Sequence, residues 1–160
     1  MNKTPGSAYI VRFSDCDPFG HLNNARYLDY FNNAREDHLK EAYQMDLNEL
    51  YKKGTGWLAV NHNITYLKPA AFNEKVYIQS SLLQADDSNL LVEFLMMNEA
   101  RTQLKAHMWT RYVPVSLSTG RKDSHSPEFM TFLNTILVTD VAVGEGPAPR
   151  LAALIAALKK

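Results

Sequence analysis

The sequence predicts an α+β fold: one long helix early in the chain, then a run of antiparallel strands. Three observations predict it. An apolar pattern of helical period spans residues 24–45. Four runs with strand patterning follow between residues 57 and 115. The breaks between those runs are short and rich in turn-forming residues. A chain of 160 residues is most simply one domain, on a prior of roughly 100–200 residues per domain.

The elements follow in order. Residues 9–13 read as a first strand, with Tyr9, Val11 and Phe13 on one face. In the helical pattern, Leu28, Phe31, Leu39 and Ala42 form an apolar stripe flanked by Tyr27, Ala34 and Met45, while Asp29, Asn33, Glu36, Asp37 and Lys40 lie opposite. A stripe this long and broad suits a central helix packed against a sheet. Arg35 and His38 interrupt it and read as edge residues that snorkel or pair. Asp46 caps a second, short helix over residues 47–53, with Glu49 placed for a capping box, and Gly54 and Gly56 end it.

Residues 57–67 form the next strand, with Leu58, Val60, His62, Ile64 and Tyr66 on one face and Trp57, Ala59, Asn61, Asn63 and Thr65 on the other. Strands at 75–83, 90–97 and 103–115 follow. The run 90–97 is apolar on nearly both faces, as in a buried central strand. Residues 116–126 read as loop. Ser126 and Pro127 open a short helix to residue 133. Residues 144–149 read as a linker. The tail places Leu151, Leu154, Ile155 and Leu158 on one helical face. So short a helix does not hold alone in water, so it docks on its own domain or a sister subunit. The expected organisation is a domain over residues 1–136, then a linker and short amphipathic helix over 137–160.

Composition excludes several functions. Seventeen basic residues balance seventeen acidic ones, which argues against a nucleic-acid partner. No apolar run is long enough for a membrane span, and the first residues lack a secretory h-region. The single cysteine, Cys16, cannot form an internal disulfide, which fits a reducing, cytoplasmic setting. No histidine or cysteine pair has zinc-ligand spacing, so no metal is expected. A nucleophile elbow and a glycine-rich phosphate loop are also missing.

The chemistry concentrates in residues 13–27. Asp15 and Asp17 precede Pro18 and Gly20; His21, Asn23 and Asn24 follow and lead into the helix. An Asn before a helical pattern reads as an N-cap. The loop therefore sets a carboxylate a few residues upstream of helix amides suited to hold an oxyanion. Each residue also has a plainer reading: Asp17 as a turn aspartate, His21 bonding loop backbone, Asn23 and Asn24 as caps. The two acids flanking Cys16 raise its thiol pKa and count against a cysteine nucleophile. His62 reads as a core or interface histidine. Lys68, Arg101, Lys105, Arg111, Arg121 and Lys122 read mostly as solvated surface cations.

The run Asp15-Cys-Asp17-Pro-x-Gly20, then His21-Leu-Asn23-Asn24-Ala-x-Tyr27 and Tyr30-Phe31-x-x-Ala34-Arg35, resembles the Asp-containing hot-dog thioesterases of the 4-hydroxybenzoyl-CoA thioesterase family. The resemblance continues through the strands to about Val115 and stops by about Met130. It implies a hot-dog fold, a curled antiparallel sheet wrapped around the long helix. It implies an acyl-CoA thioesterase with Asp17 as nucleophile or general base and Asp15 structural. It implies participation of His21, oxyanion-holding amides at Asn23 and Asn24, no cofactor beyond the CoA of the substrate, and a homodimer or homotetramer. An acyl-carrier-protein thioesterase and a non-catalytic acyl-CoA-binding protein stay open as alternatives. Tyr27, Tyr66, Phe94, Met96 and Met108 are the expected lining of an acyl pocket, aromatic or fatty.

Overall fold

The computed structural model describes residues 1–160. The elements are β1 (Gly6–Ile10), α1 (Tyr27–Tyr43), α2 (Leu47–Lys52), β2 (Thr55–Tyr66), β3 (Lys75–Ala85), β4 (Leu90–Asn98), β5 (Leu104–Ser116), α3 (Pro127–Ile136) and α4 (Pro147–Leu158). One five-stranded antiparallel sheet has the order β1-β3-β4-β5-β2. It curls around α1, as expected. Phe31 and Ala34 of α1 are fully buried against Val76 and Ile78 of β3, Phe94 and Met96 of β4, and Ala106 and Met108 of β5.

Local chemistry sets the helix ends. Asn23 Oδ1 accepts from the Ala25 amide at 2.9 Å and starts a 3-10 turn, Asn24–Arg26, that leads into α1. Asp46 caps α2 by accepting from the Asn48 amide, but Glu49 pairs with Lys52 instead of closing a capping box. Ser126 caps α3, accepting from the Phe129 amide at 3.1 Å. The first strand lies earlier than expected, over Gly6–Ile10, because it is residues 6–10 that find partners on β3. Phe13 falls in a 3-10 turn and is exposed.

β2 departs from simple alternation. Ala59 pairs with Tyr112 and Asn61 with Arg111, so Val60 is an extra, bulged residue. The bulge moves Trp57 and Ala59 to the same face as His62, Ile64 and Tyr66. The even-numbered face expected from the sequence therefore exists only beyond the bulge.

The C-terminal segment changes sides. Leu133 and Ile136 of α3 belong to the core cluster of the inner face. Leu137 bridges to Leu82 on the part of β3 that β1 leaves unpaired, and the Val138 amide donates to the Leu82 carbonyl. The chain then lies on the outer face. Val138, Val141 and Val143 pack on Leu83, Leu91 and Trp109. α4 lays Leu151, Leu154, Ile155 and Leu158 on Leu95, Met97 and Leu104. Pro147–Pro149, expected in a linker, forms the first turn of α4, where proline is well tolerated. Arg150 of α4 reaches down to Glu93, which is fully buried in the middle of β4. Its Nη2 donates to Oε1 at 2.8 Å and its Nε to Oε2 at 3.0 Å. His107 Nε2 and Trp109 Nε1 also meet Oε2, each at 3.0 Å. Burial pushes the Glu93 carboxyl up, but these donors and the Arg150 charge outweigh it and hold the group down at about 2.

Candidate active site

Residues 15–23 fold back on themselves as a small hairpin. The Asn23 amide donates to the Asp15 carbonyl, Cys16 and Leu22 form a bridge, and the Asp17 amide donates to the His21 carbonyl at 2.8 Å. Asp17, Pro18, Phe19 and Gly20 form the turn, closed by the Gly20 amide on the Asp17 carbonyl at 3.0 Å. Gly20 has φ +74, a conformation that a side chain disfavours. His21 bridges to Ala71, and the Phe72 amide donates to the Gly20 carbonyl, which ties the turn to the 67–74 connection.

The two acids take different parts. Asp15 Oδ2 accepts from Tyr30 Oη at 2.6 Å, and Tyr30 Oη in turn accepts from the Arg12 amide. That pair locks the loop to α1. Asp17 Oδ1 accepts from the amides of Phe19 at 2.9 Å and His21 at 3.1 Å. Its Oδ2 has no protein donor and is not sealed from solvent. At the helix entrance the Ala25 amide is taken by Asn23 and the Arg26 amide by the Asn23 carbonyl, whereas the Asn24 amide has no protein acceptor. Tyr66 of β2 donates to the Asn24 carbonyl at 3.0 Å and stands edge-on to Tyr27, so β2 supports this entrance. Burial, and then Asp17 and Asp15, push the Cys16 thiol up, and its Sγ donates to the Arg12 carbonyl.

The family model described as the thioesterase-like superfamily matches residues 11–133. The chain belongs to this superfamily. It is 28% identical over 111 residues to the long-chain acyl-CoA thioesterase FadM of Escherichia coli, covering 69% of this chain and 83% of that protein. Two solved structures share the fold. The DHNA-CoA thioesterase of Staphylococcus aureus superposes with TM-score 0.77 at 16% identity, over 83% of this chain and 90% of that one. The 1,4-dihydroxy-2-naphthoyl-CoA thioesterase Slr0204 of Synechocystis does so with TM-score 0.73 at 19% identity, over 82% and 96%. As a member of this superfamily the chain is a thioester hydrolase with a hot-dog fold. No helix is long and apolar enough to cross a membrane.

The loop brings Asp17, His21, Asn23 and Asn24 into one hairpin and helix entrance, and Asn23, rather than Asn24, is the side-chain cap. Other expectations about side chains are corrected. Tyr27, Phe94, Met96 and Met108 are core, and Tyr66 packs on the helix entrance, so none of the five lines the cavity on the inner sheet face. That cavity, about 380 Å³, lies between α1, α2, α3 and the inner sheet face, with Leu39, Met45, Trp57, Leu82 and Leu133 among its walls. Arg35 and His38 do not snorkel outward. Both turn toward β3, where Arg35 Nη1 meets Ser80 Oγ at 2.9 Å and His38 Nδ1 meets it at 2.8 Å. The signal was present in the sequence, as two polar residues on an apolar stripe, but their partner lies over forty residues on. Lys105 is not a solvated cation: it is buried, donating to the Pro69 carbonyl and the Glu74 carboxylate at 2.9 Å each. His62 is only partly covered and meets Thr110 Oγ1 at 2.8 Å.

Proposed function

We propose that the chain is an acyl-CoA thioesterase whose catalytic carboxylate is Asp17. One observation carries the reading. A single loop holds a carboxylate by one oxygen, leaves the other free, and leads into a helix entrance with the free Asn24 amide. Thioester hydrolysis needs those two parts. The free oxygen attacks the carbonyl or takes the proton of an attacking water. The Asn24 amide, at the positive end of the helix, holds the oxyanion as it forms. His21, across the hairpin from Asp17, assists in placing water or substrate, and Asn23 fixes the entrance by capping it. Neither step needs a metal or redox cofactor, and CoA enters as part of the substrate. The E. coli relative acts on long-chain acyl-CoA by its name, so that class is the first to try.

The working unit is a homodimer in the cytoplasm. β2 is a twelve-residue edge strand with no neighbouring strand on one side, and Leu58, Val60 and Tyr66 along it are exposed. Long apolar edges of this kind pair with another chain. Phe13, just before the loop, and Phe19, in its turn, are exposed at 78% and 83% and leave apolar surface beside the site as well.

Purified protein is expected to release free thiol from at least one of a panel of short, long and aromatic acyl-CoAs. Silence across the panel contradicts the reading. Sedimentation is expected to give a dimer that Val60→Lys converts to monomer; a wild-type monomer contradicts the assembly.

A further inference from the structure

The inner-face cavity contains a charge that the protein does not neutralise. Arg35 enters none of the ion pairs. Glu36, the one carboxylate among the lining residues, is exposed and does not reach it. Tyr43 and Tyr112 stand near the guanidinium, but burial raises both phenols, so they stay neutral. Ser80 Oγ accepts from Arg35 and shares a hydrogen bond with His38 Nδ1. His38 Nε2 is buried and has no hydrogen-bond partner. Burial, and then the Arg35 charge, hold His38 down at about 4, so it adds no second charge. The cluster is one cation with no anion.

The guanidinium also keeps free donors. Nη1 donates to Ser80 Oγ and the neutral Tyr43 hydroxyl is a second, weaker neighbour, while no guanidinium N–H is sealed from the cavity without a partner. Thirteen of the seventeen lining residues are hydrophobic. The result is an apolar chamber with one planar, charged fork opening into it. Such a fork matches a carboxylate, whose two oxygens accept in parallel. From Asn24 to Arg35 is eleven residues, or ~16 Å along a helix, so a thioester held at the Asn24 amide reaches Arg35 only through an extended acyl chain.

We propose that this cavity seats the far end of the acyl group and that Arg35 selects acyl groups ending in a carboxylate: CoA monothioesters of long-chain dicarboxylic acids. The inference rests on the thioesterase reading above for its substrate and on the cavity alone for its charge preference.

Two measurements test it. The first is kcat/KM on dicarboxylic monothioesters against monocarboxylic acyl-CoAs of equal length, with wild type, Arg35→Lys and Arg35→Met. Wild type is expected to favour the carboxylate-ended chain on the order of tenfold, in line with a charge-assisted hydrogen bond to a placed carboxylate. Arg35→Lys is expected to keep part of that preference and Arg35→Met to lose it. Preference for the methyl-ended chain in wild type, or the same ratio in Arg35→Met, overturns the proposal. The second needs no turnover: calorimetric binding of decanoate and methyl decanoate. Tighter binding of the acid by wild type, abolished in Arg35→Met (or reduced in Arg35→Lys, should the Met variant not fold), supports the site. Equal binding of acid and ester by wild type overturns it. If no thioester is hydrolysed, the thioesterase reading fails while the binding experiment still decides the cavity.

Discussion

Two arginines on opposite faces of one sheet are treated in opposite ways. On the outer face, Arg150 reaches Glu93 with two parallel bonds, and His107 and Trp109 complete the carboxylate. On the inner face, Arg35 has a serine hydroxyl and no acid, and its remaining donors open on a cavity. A buried charge is costly unless paired. Where the pair is internal, the cost fixes an element in place: α4 can dock in only one register on β4. Where the partner is missing and space is left, the unsatisfied charge is available to a ligand.

The contrast can be broken by the same substitution at both positions. Arg150→Met leaves Glu93 buried without its main partner and should cost about 3–5 kcal/mol in chemical denaturation. A cost below about 1 kcal/mol, the range of exposed pairs, would mean that the pair does not hold α4. The double variant Glu93→Gln with Arg150→Met removes both charges and should recover most of that loss, because no uncompensated carboxylate remains; equal instability of single and double variants would put the effect in α4 packing alone. Acid sharpens the same point. The folded Glu93 carboxyl lies at about 2 against an ordinary 4.5, so its stabilisation is present above 4.5 and lost as pH falls toward 2. Wild-type denaturation midpoints should drop across that window more steeply than those of the double variant. Arg35→Met should have the smallest effect on stability, within about 1 kcal/mol either way, since it breaks no ion pair. A loss as large as that of Arg150→Met would show that Arg35 is compensated after all.

How much of this was legible beforehand follows from where partners sit in the chain. α1 and the caps at Asp46 and Ser126 depend on neighbours within a few residues, and the four later strands, though paired at longer range, carry their faces in local alternation, so periodicity and capping rules read them well. The loop was legible for the same reason: Asp15 to Asn24 build their own hairpin. The first strand was misplaced because its boundary is set by pairing with residues 75–79, far along the chain. The bulge at Val60 left no trace, since apolar residues continue at even positions on both sides of it. Glu93 stands as an acid in an otherwise apolar run, but Arg150, fifty-seven residues later, falls between the stretch read as linker, 144–149, and the apolar tail, with no pattern of its own. Aromatic and sulfur side chains read as pocket walls by type alone; packing against Phe31 and Ala34 makes most of them core, and the cavity lies further along α1.

The central claim is that Asp17 carries out thioester hydrolysis, and the most direct measurement is kcat/KM for acyl-CoA hydrolysis by wild type beside Asp17→Asn. The substitution keeps size, and its side-chain oxygen can still accept from Phe19 and His21, while the carboxylate is gone. The account predicts turnover by wild type and a loss on the order of 10² or more in the variant. Turnover that survives the substitution would contradict it and move the chemistry away from Asp17.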